Sequence, residues 1–133
     1  MELSIGFLVS DRRKTLLLID DDFNQLMLRK LVLELSGFTV MTAADAHQGM
    51  QLFETEAPDA VVVDYEMPRV SGDVLARKIR RANRAIPILM LSGCTTVPIS
   101  ALAAVNAFLP KAAHPSALVN AIQCLLEAPE VFA

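Results

Sequence analysis

Four apolar residues, Leu16, Leu17, Leu18 and Ile19, run directly into three carboxylates, Asp20, Asp21 and Asp22. A short unbroken apolar run marks a strand buried on both faces, as in the middle of a parallel sheet. Such a strand must end in a turn, and this one ends in acid. Adjacent carboxylates repel by roughly 1 to 4 kcal/mol per pair at about 4 Å in wet surroundings. A core strand that ends this way uses the charge, most simply to hold a divalent cation. The rest of the chain must then supply the other half of the site.

The chain beyond it alternates. Residues 24–36 predict a helix with Leu28, Leu31, Val32 and Leu35 on one face and Gly37 as its stop. Asp22 stands three residues before Gln25, the spacing of a capping box, so Asp22 reads as a cap rather than a ligand. Residues 38–42 predict a second strand, and Asp45 with Gln48 caps a second helix through Phe53. Pro58 and Asp59 break the chain, and Ala60, Val61, Val62, Val63 and Asp64 then repeat the opening pattern. Gly72 and Asp73 open a third helix to Asn83; residues 86–91 form another buried run, closed by Ser92 and Gly93. Residues 107–110 make a final, weaker strand that ends in Lys111. Pro115 and Ser116 begin a last helix, with Leu118, Val119, Ile122, Leu125 and Leu126 at helical spacing.

Five such alternations predict an α/β fold, a parallel sheet covered on both faces. Ligands of such sheets sit beyond the carboxyl ends of the strands. Asp20 and Asp21, Asp64, Ser92 and Lys111 each close a different apolar run, so all of them fall at that end. Clustered carboxylates suit Mg²⁺, a hard cation that keeps waters for a phosphate-bearing partner. An Asp carboxylate can also act as a nucleophile toward phosphorus. Phosphoryl transfer needs mainly positioning and charge neutralisation, for which a cation, a lysine and a hydroxyl suffice.

Composition narrows the classes. A chain of 133 residues supports one core. Its hydrophobic share of 53% has no membrane-length run to account for it, so the excess belongs in the core or on a contact surface. The net charge of -3 argues against direct nucleic-acid binding, which makes Arg77, Arg81 and Arg84, with Arg80 nearby, a solvated face. Cys94 and Cys124 form no metal or redox motif and suit a reducing cytoplasm, Cys94 as a small apolar filler. His47 and His114 lack metal-ligand spacing. The apolar stretch 3–9 precedes its basic residues, the reverse of a secretory signal. Residues 1–14 read as an N-terminal extension, either a loosely held tail or an added element docking on a neighbour, and residues 128–133 as a C-terminal tail.

In residues 15–127 the motifs Leu-Ile-Asp-Asp-Asp, Pro-Asp-Ala-Val-Val-Val-Asp-Tyr-Glu-Met-Pro, Ser-Gly-Asp, Ile-Pro-Ile-Leu-Met-Leu-Ser-Gly and Phe-Leu-Pro-Lys stand in fixed order. In these the chain resembles the receiver domains of two-component response regulators. The resemblance implies a flavodoxin-like (CheY-like), doubly wound sheet of five parallel strands in order 2-1-3-4-5, flanked by five helices. It also implies phosphorelay signalling with Mg²⁺. Asp64 would be the phosphoacceptor; Asp21 and Asp64 would ligate the metal directly, Asp20 through water, and Glu66 through its backbone carbonyl. Ser92 and Lys111 match the hydroxyl and amine that contact the phosphoryl group, and Phe108 the switch aromatic. The implied donor is a histidine kinase or a histidine phosphotransfer protein, and the output a changed contact with a downstream protein. No membrane partner is implied.

Three positions depart from the family pattern. Ala112 follows Lys111 where Pro is usual, which predicts a trans peptide bond there. The segment from Ser92 to Lys111 is short, which predicts a short fourth helix over residues 98–104. Glu66 is an extra acid, placed to draw in the metal, polarise a water or repel the phosphoryl group. Residues 97–107 suit either core or a partner surface, a homodimer included. The expectation is a stand-alone receiver. Its rivals are a receiver-like adaptor that signals without phosphorylation and a Mg²⁺-dependent phosphatase of the haloacid-dehalogenase type, for which Asp20 and Asp22 would supply the acid pair.

Overall fold

Strand β1 (Thr15–Ile19) is buried along four of its five residues, and β3 (Ala60–Asp64) and β4 (Ile88–Ser92) along all five. Apolar side chains must leave both faces of such strands, so helices have to cover both sides of the sheet. The computed structural model describes residues 13–127; the expected tail 128–133 and residues 1–12 of the expected extension lie outside the described residues. With β2 (Thr39–Ala43) and β5 (Ala107–Pro110) the strands form one parallel sheet in the order β2-β1-β3-β4-β5. This is the order that the motifs imply.

Helices α1 (Phe23–Leu35), α2 (Ala46–Glu56) and α3 (Gly72–Ala82) make the first three crossovers, and α4 (Pro115–Glu127) packs back on the sheet after β5. Two apolar layers result, one built on Leu17, Val61, Val63, Ile79 and Met90, the other on Leu16, Leu18, Leu33, Val62 and Ile122. Both expected caps are present: Asp22 Oδ1 accepts from Gln25 N at 3.2 Å and Asp45 Oδ1 from Gln48 N at 2.8 Å. Helix α1 turns and stops at Gly37, whose φ of 100° suits a residue without a Cβ.

Of the five flanking helices expected, four are α-helices. The fourth in chain order, expected over residues 98–104, is a single 3-10 turn, Ile99–Leu102, closed by Ala101 N to Pro98 O at 2.9 Å. A short connection must still travel back along the sheet from the end of β4 to the start of β5. The 3-10 form advances about 2.0 Å per residue against about 1.5 Å for an α-helix, so it spans more with less chain. Within the segment Ala101 and Ala104 are buried in the core, while Ile99 is 89% exposed.

The core face of α1 is not the one that helical spacing selects. Leu26 and Leu33 point inward, whereas Leu28 (61% exposed), Leu31 (53%) and Leu35 (79%) face solvent. This helix carries apolar residues on two sides. Periodicity detects both stripes, and only packing against the sheet decides which is covered. The excess hydrophobicity of the chain therefore lies partly on its surface.

Arg80 also departs from the solvated face expected of it. Its guanidinium donates to the carbonyls of Ala104, Arg84 and Ile86 and to Asn106 Oδ1, at 2.6–3.2 Å, pinning α3 to the starts of β4 and β5.

Candidate functional site

Four of the five strands deliver polar residues to the same edge: Asp20 and Asp21 after β1, Asp64 at the end of β3, Ser92 at the end of β4 and Lys111 after β5. The register pairs Ile19 with Val63, Asp64 with Leu91 and Ser92 with Pro110, so the acids after β1, the end of β3 and the residue after β5 come level. Lys111 N donates to Ser92 O at 2.7 Å and carries the ladder one step further. Carboxylate oxygens of Asp20, Asp21 and Asp64 lie within 4.8 Å of one another. Asp20 and Asp64 are buried and Asp21 is exposed, which leaves the cluster open on one side.

Two cations answer three acids. Lys111 Nζ stands 2.9 Å from Asp64 Oδ2 and 3.4 Å from Asp20 Oδ2. Arg29 Nη1 stands 3.3 Å from Asp20 Oδ2. Every peptide bond among the described residues is trans, Lys111–Ala112 included, and Lys111 still reaches both acids. Arg29 is a site residue that the sequence reading missed. The signal for it is directional: helical side chains lean toward the N-terminus, so an Arg two turns into α1 can reach back to the loop before it.

Local hydrogen bonds hold the acids in place. Asp20 Oδ1 accepts from Asp22 N at 2.9 Å, and Asp64 Oδ1 accepts from Glu66 N at 3.2 Å. Asp64 Oδ2 is buried and, among the described residues, has no hydrogen-bond donor aligned on it. The Lys111 ammonium is close enough to pair with this oxygen electrostatically but is off the hydrogen-bond direction. Burial, then the charge of Asp20, pushes the Asp64 carboxyl up to about 7 against the pull of Lys111. Burial works against the charged form of Lys111, but Asp64 and Asp20 outweigh it and raise its pKa.

Three acids facing two cations leave a net negative charge, and one of the buried oxygens lacks a directed partner. All the donors are oxygens. A hard divalent cation fits that set. Asp22 takes no part in it, because its side chain caps α1; the acid pair of the phosphatase reading is therefore not assembled.

Ser92 is wholly buried at the mouth, and its hydroxyl donates to Glu66 Oε2. Gly93 N donates to Glu66 Oε1 at 3.0 Å. Burial opposes the charge on Glu66, but these bonds and Lys111 hold its pKa below the usual carboxylate value. Of the three roles the sequence left open for this acid, none includes a bond to Ser92. Phe108 is half-buried and packs against the layer that contains Met90, so it also serves the core. Among the described residues no helix is long and apolar enough to cross a membrane.

The description "response regulator receiver domain" matches residues 16–123. The chain is similar to the alkaline phosphatase synthesis transcriptional regulatory protein PhoP of Bacillus subtilis, at 35% identity over 79 residues, 59% of this chain and 33% of that protein. It spans about a third of the length of curated relatives such as this one. In structure it is similar to a response regulator receiver domain protein (CheY-like) from Methanospirillum hungatei, with a TM-score of 0.83 and 27% identity over 87% of this chain and 95% of that one. It is likewise similar to the response regulator TrrA of Thermotoga maritima in complex with Mg(2+)-BeF, with a TM-score of 0.80 and 26% identity over 84% and 98% of the two chains.

Proposed function

The chain belongs to the response regulator receiver domain family, and from that premise we propose that Asp64 accepts a phosphoryl group from a protein phosphohistidine in a phosphorelay. The observation that carries this reading is the Lys111 ammonium, 2.9 Å from Asp64 and 3.4 Å from Asp20, at the one edge where the acidic strand ends meet. An Asp64 oxygen attacks phosphorus, the P–N bond breaks, and the departing imidazole takes up a proton. The product is an aspartyl phosphate.

Lys111 is placed to pair with a phosphoryl oxygen, and Arg29 restrains Asp20 through the same Oδ2 atom that Lys111 reaches. Asp20, Asp21 and Asp64, with the backbone carbonyl of Glu66, would hold Mg²⁺, Asp20 through water, and the bound ion would neutralise phosphoryl charge. The Mg(2+)-BeF complex of the Thermotoga maritima relative supports that choice of metal. Ser92 and Phe108 are the residues through which added charge at Asp64 would bias the neighbouring surface.

The donor is a histidine kinase or a histidine phosphotransfer protein. An apolar rim follows the acidic loop on α1: Phe23 (69% exposed) at its start, and Leu28, which lines a groove of about 250 Å³ with Arg29, Val32, Lys111 and Leu118. A donor that presents its imidazole to Asp64 must pass over this rim. The output is a changed contact with a downstream protein, and the free cysteines Cys94 and Cys124 suit a cytoplasmic setting.

The test is to incubate the protein with Mg²⁺ and a small acyl-phosphate donor, trap the adduct and map it by mass. Label on Asp64 is expected. Label on another residue, or no label in the presence of Mg²⁺, overturns the assignment, and the second result favours an adaptor that signals without phosphorylation.

A further inference from the structure

Glu66 bridges two strand ends in a way that phosphoryl chemistry at Asp64 does not require. Its backbone N–H donates to Asp64 Oδ1 at 3.2 Å, while its side chain reaches across to the loop after β4. There one carboxylate oxygen accepts a hydrogen bond from the Ser92 hydroxyl, and the other accepts from Gly93 N–H at 3.0 Å. Cys94 N donates to Ser92 Oγ at 3.0 Å, so the hydroxyl has both roles satisfied, and its one proton is committed to Glu66.

A phosphoryl group on Asp64 would bring close to two negative charges and three strong acceptor oxygens. Lys111 supplies charge, but neutral donors are needed as well. The register sets Asp64 opposite Leu91, so Ser92 and Gly93 are the next residues beyond it on the adjacent strand. Both of their donors are bound to a carboxylate, which is itself anionic and repels a second anion at short range. The same corner cannot serve both acceptors.

We infer that Glu66 is an internal competitor of the phosphoryl group: its carboxylate latches Ser92 and Gly93 in the unphosphorylated protein and is expelled when Asp64 is modified. The inference rests on Asp64 being the acceptor, and it adds how the resting state is held. Expulsion releases the Ser92 hydroxyl and the Gly93 amide to the new anion. It also redirects an exposed charged side chain away from the loop after β4, so the phosphorylated surface differs at Glu66 as well as at Phe108. Glu66 is thus a positioning residue of the off state.

The test uses the full chain with Mg²⁺ and beryllofluoride, a stable mimic of the phosphoryl group. Its affinity is measured for the wild-type protein, Glu66→Gln and Glu66→Ala, with the Gly93 amide followed by ¹⁵N NMR. Glu66→Ala is expected to bind beryllofluoride at least tenfold more tightly than the wild type, with Glu66→Gln between them. The Gly93 resonance of free Glu66→Ala should differ from that of the free wild type, and beryllofluoride should move the wild-type resonance. A bridge that merely braces the loop predicts the opposite sign, because removing it would loosen the site. Equal or weaker binding by Glu66→Ala, with the wild type still binding, therefore overturns the latch and leaves the acceptor assignment intact. Failure of all three proteins to bind overturns the acceptor assignment and the latch with it.

Discussion

Gly72 lies against Asp64 so closely that a Cβ on Gly72 would fall 2.1 Å from the Asp64 carbonyl oxygen and 2.9 Å from Tyr65 Cα. The first residue of α3 is held there by Gly72 N to Tyr65 O at 2.9 Å. Both obstacles are backbone, so neither can swing aside. Gly72→Ala should push the end of β3 outward, at a cost of about 1–3 kcal/mol typical of overpacking. Urea denaturation measures that loss, and labelling by an acyl phosphate should fall with it because Asp64 moves.

Asp64 sets a pH dependence whose sign can be worked out. Burial first, then Asp20, raises its carboxyl to about 7, while the same group in an unfolded chain titrates near 4. Between these values the native state keeps a proton that the unfolded state has released, so stability falls as pH rises through that window. Without metal, this group should cost roughly 2–4 kcal/mol on going from pH 4 to pH 8. Urea midpoints across that range, compared with those of Asp64→Asn, isolate the contribution: the variant should lose this part of the slope. Stabilisation by Mg²⁺ should be greater at pH 8 than at pH 5, since the ligand form is the deprotonated one.

Lys111 separates metal binding from group transfer. Its ammonium, held against Asp64 and Asp20, opposes a cation at the acid cluster but, in the proposed transfer, would pair with the incoming phosphoryl group. Lys111→Met should therefore bind Mg²⁺ at least as tightly as the wild type by titration calorimetry. Its rate of labelling at Asp64 should drop by at least about tenfold, equivalent to about 1.4 kcal/mol of lost transition-state stabilisation.

Phe23 and Leu28 test the donor surface. If a protein donor covers this apolar rim, replacing both residues with Ser should slow transfer from its cognate phosphohistidine protein by roughly five- to thirtyfold, the effect of about 1–2 kcal/mol. Labelling by a small acyl phosphate, which needs no such contact, should be unchanged. Both residues are exposed, so the melting temperature serves as a control rather than an expected casualty.

Arg80 supplies a prediction away from the site. Its guanidinium bonds to three carbonyls and to the Asn106 side chain, which in turn accepts from Ile88 N at 2.8 Å. Arg80→Ala removes the donor from the half-buried carbonyls of Ala104 and Ile86. A loss of about 2–3 kcal/mol in urea denaturation is expected, with labelling of Asp64 retained.

Much of this was legible from residues alone, for a definite reason. Strands buried on both faces announce themselves as unbroken apolar runs, and a parallel sheet brings their carboxyl ends to one edge. The convergence of Asp20, Asp21, Asp64 and Lys111 follows from those two facts. The caps at Asp22 and Asp45 are equally local, because a side chain and an amide three residues apart meet at any helix start.

What the chain order could not disclose was which of several satisfactory partners each group would choose. Helix α1 has two apolar stripes, and only its seat on the sheet buries Leu26 and Leu33 while leaving Leu28, Leu31 and Leu35 in solvent. Arg29 and Arg80 both look like surface cations until neighbouring elements surround them. Glu66 is the sharpest case, because its bond to Ser92 spans 26 positions of chain. Hydrophobic pattern is a property of single segments, and it determines which elements exist and where their ends lie. The pairing of polar atoms depends on distances of a few ångströms between segments, and those exist only once the layers have packed.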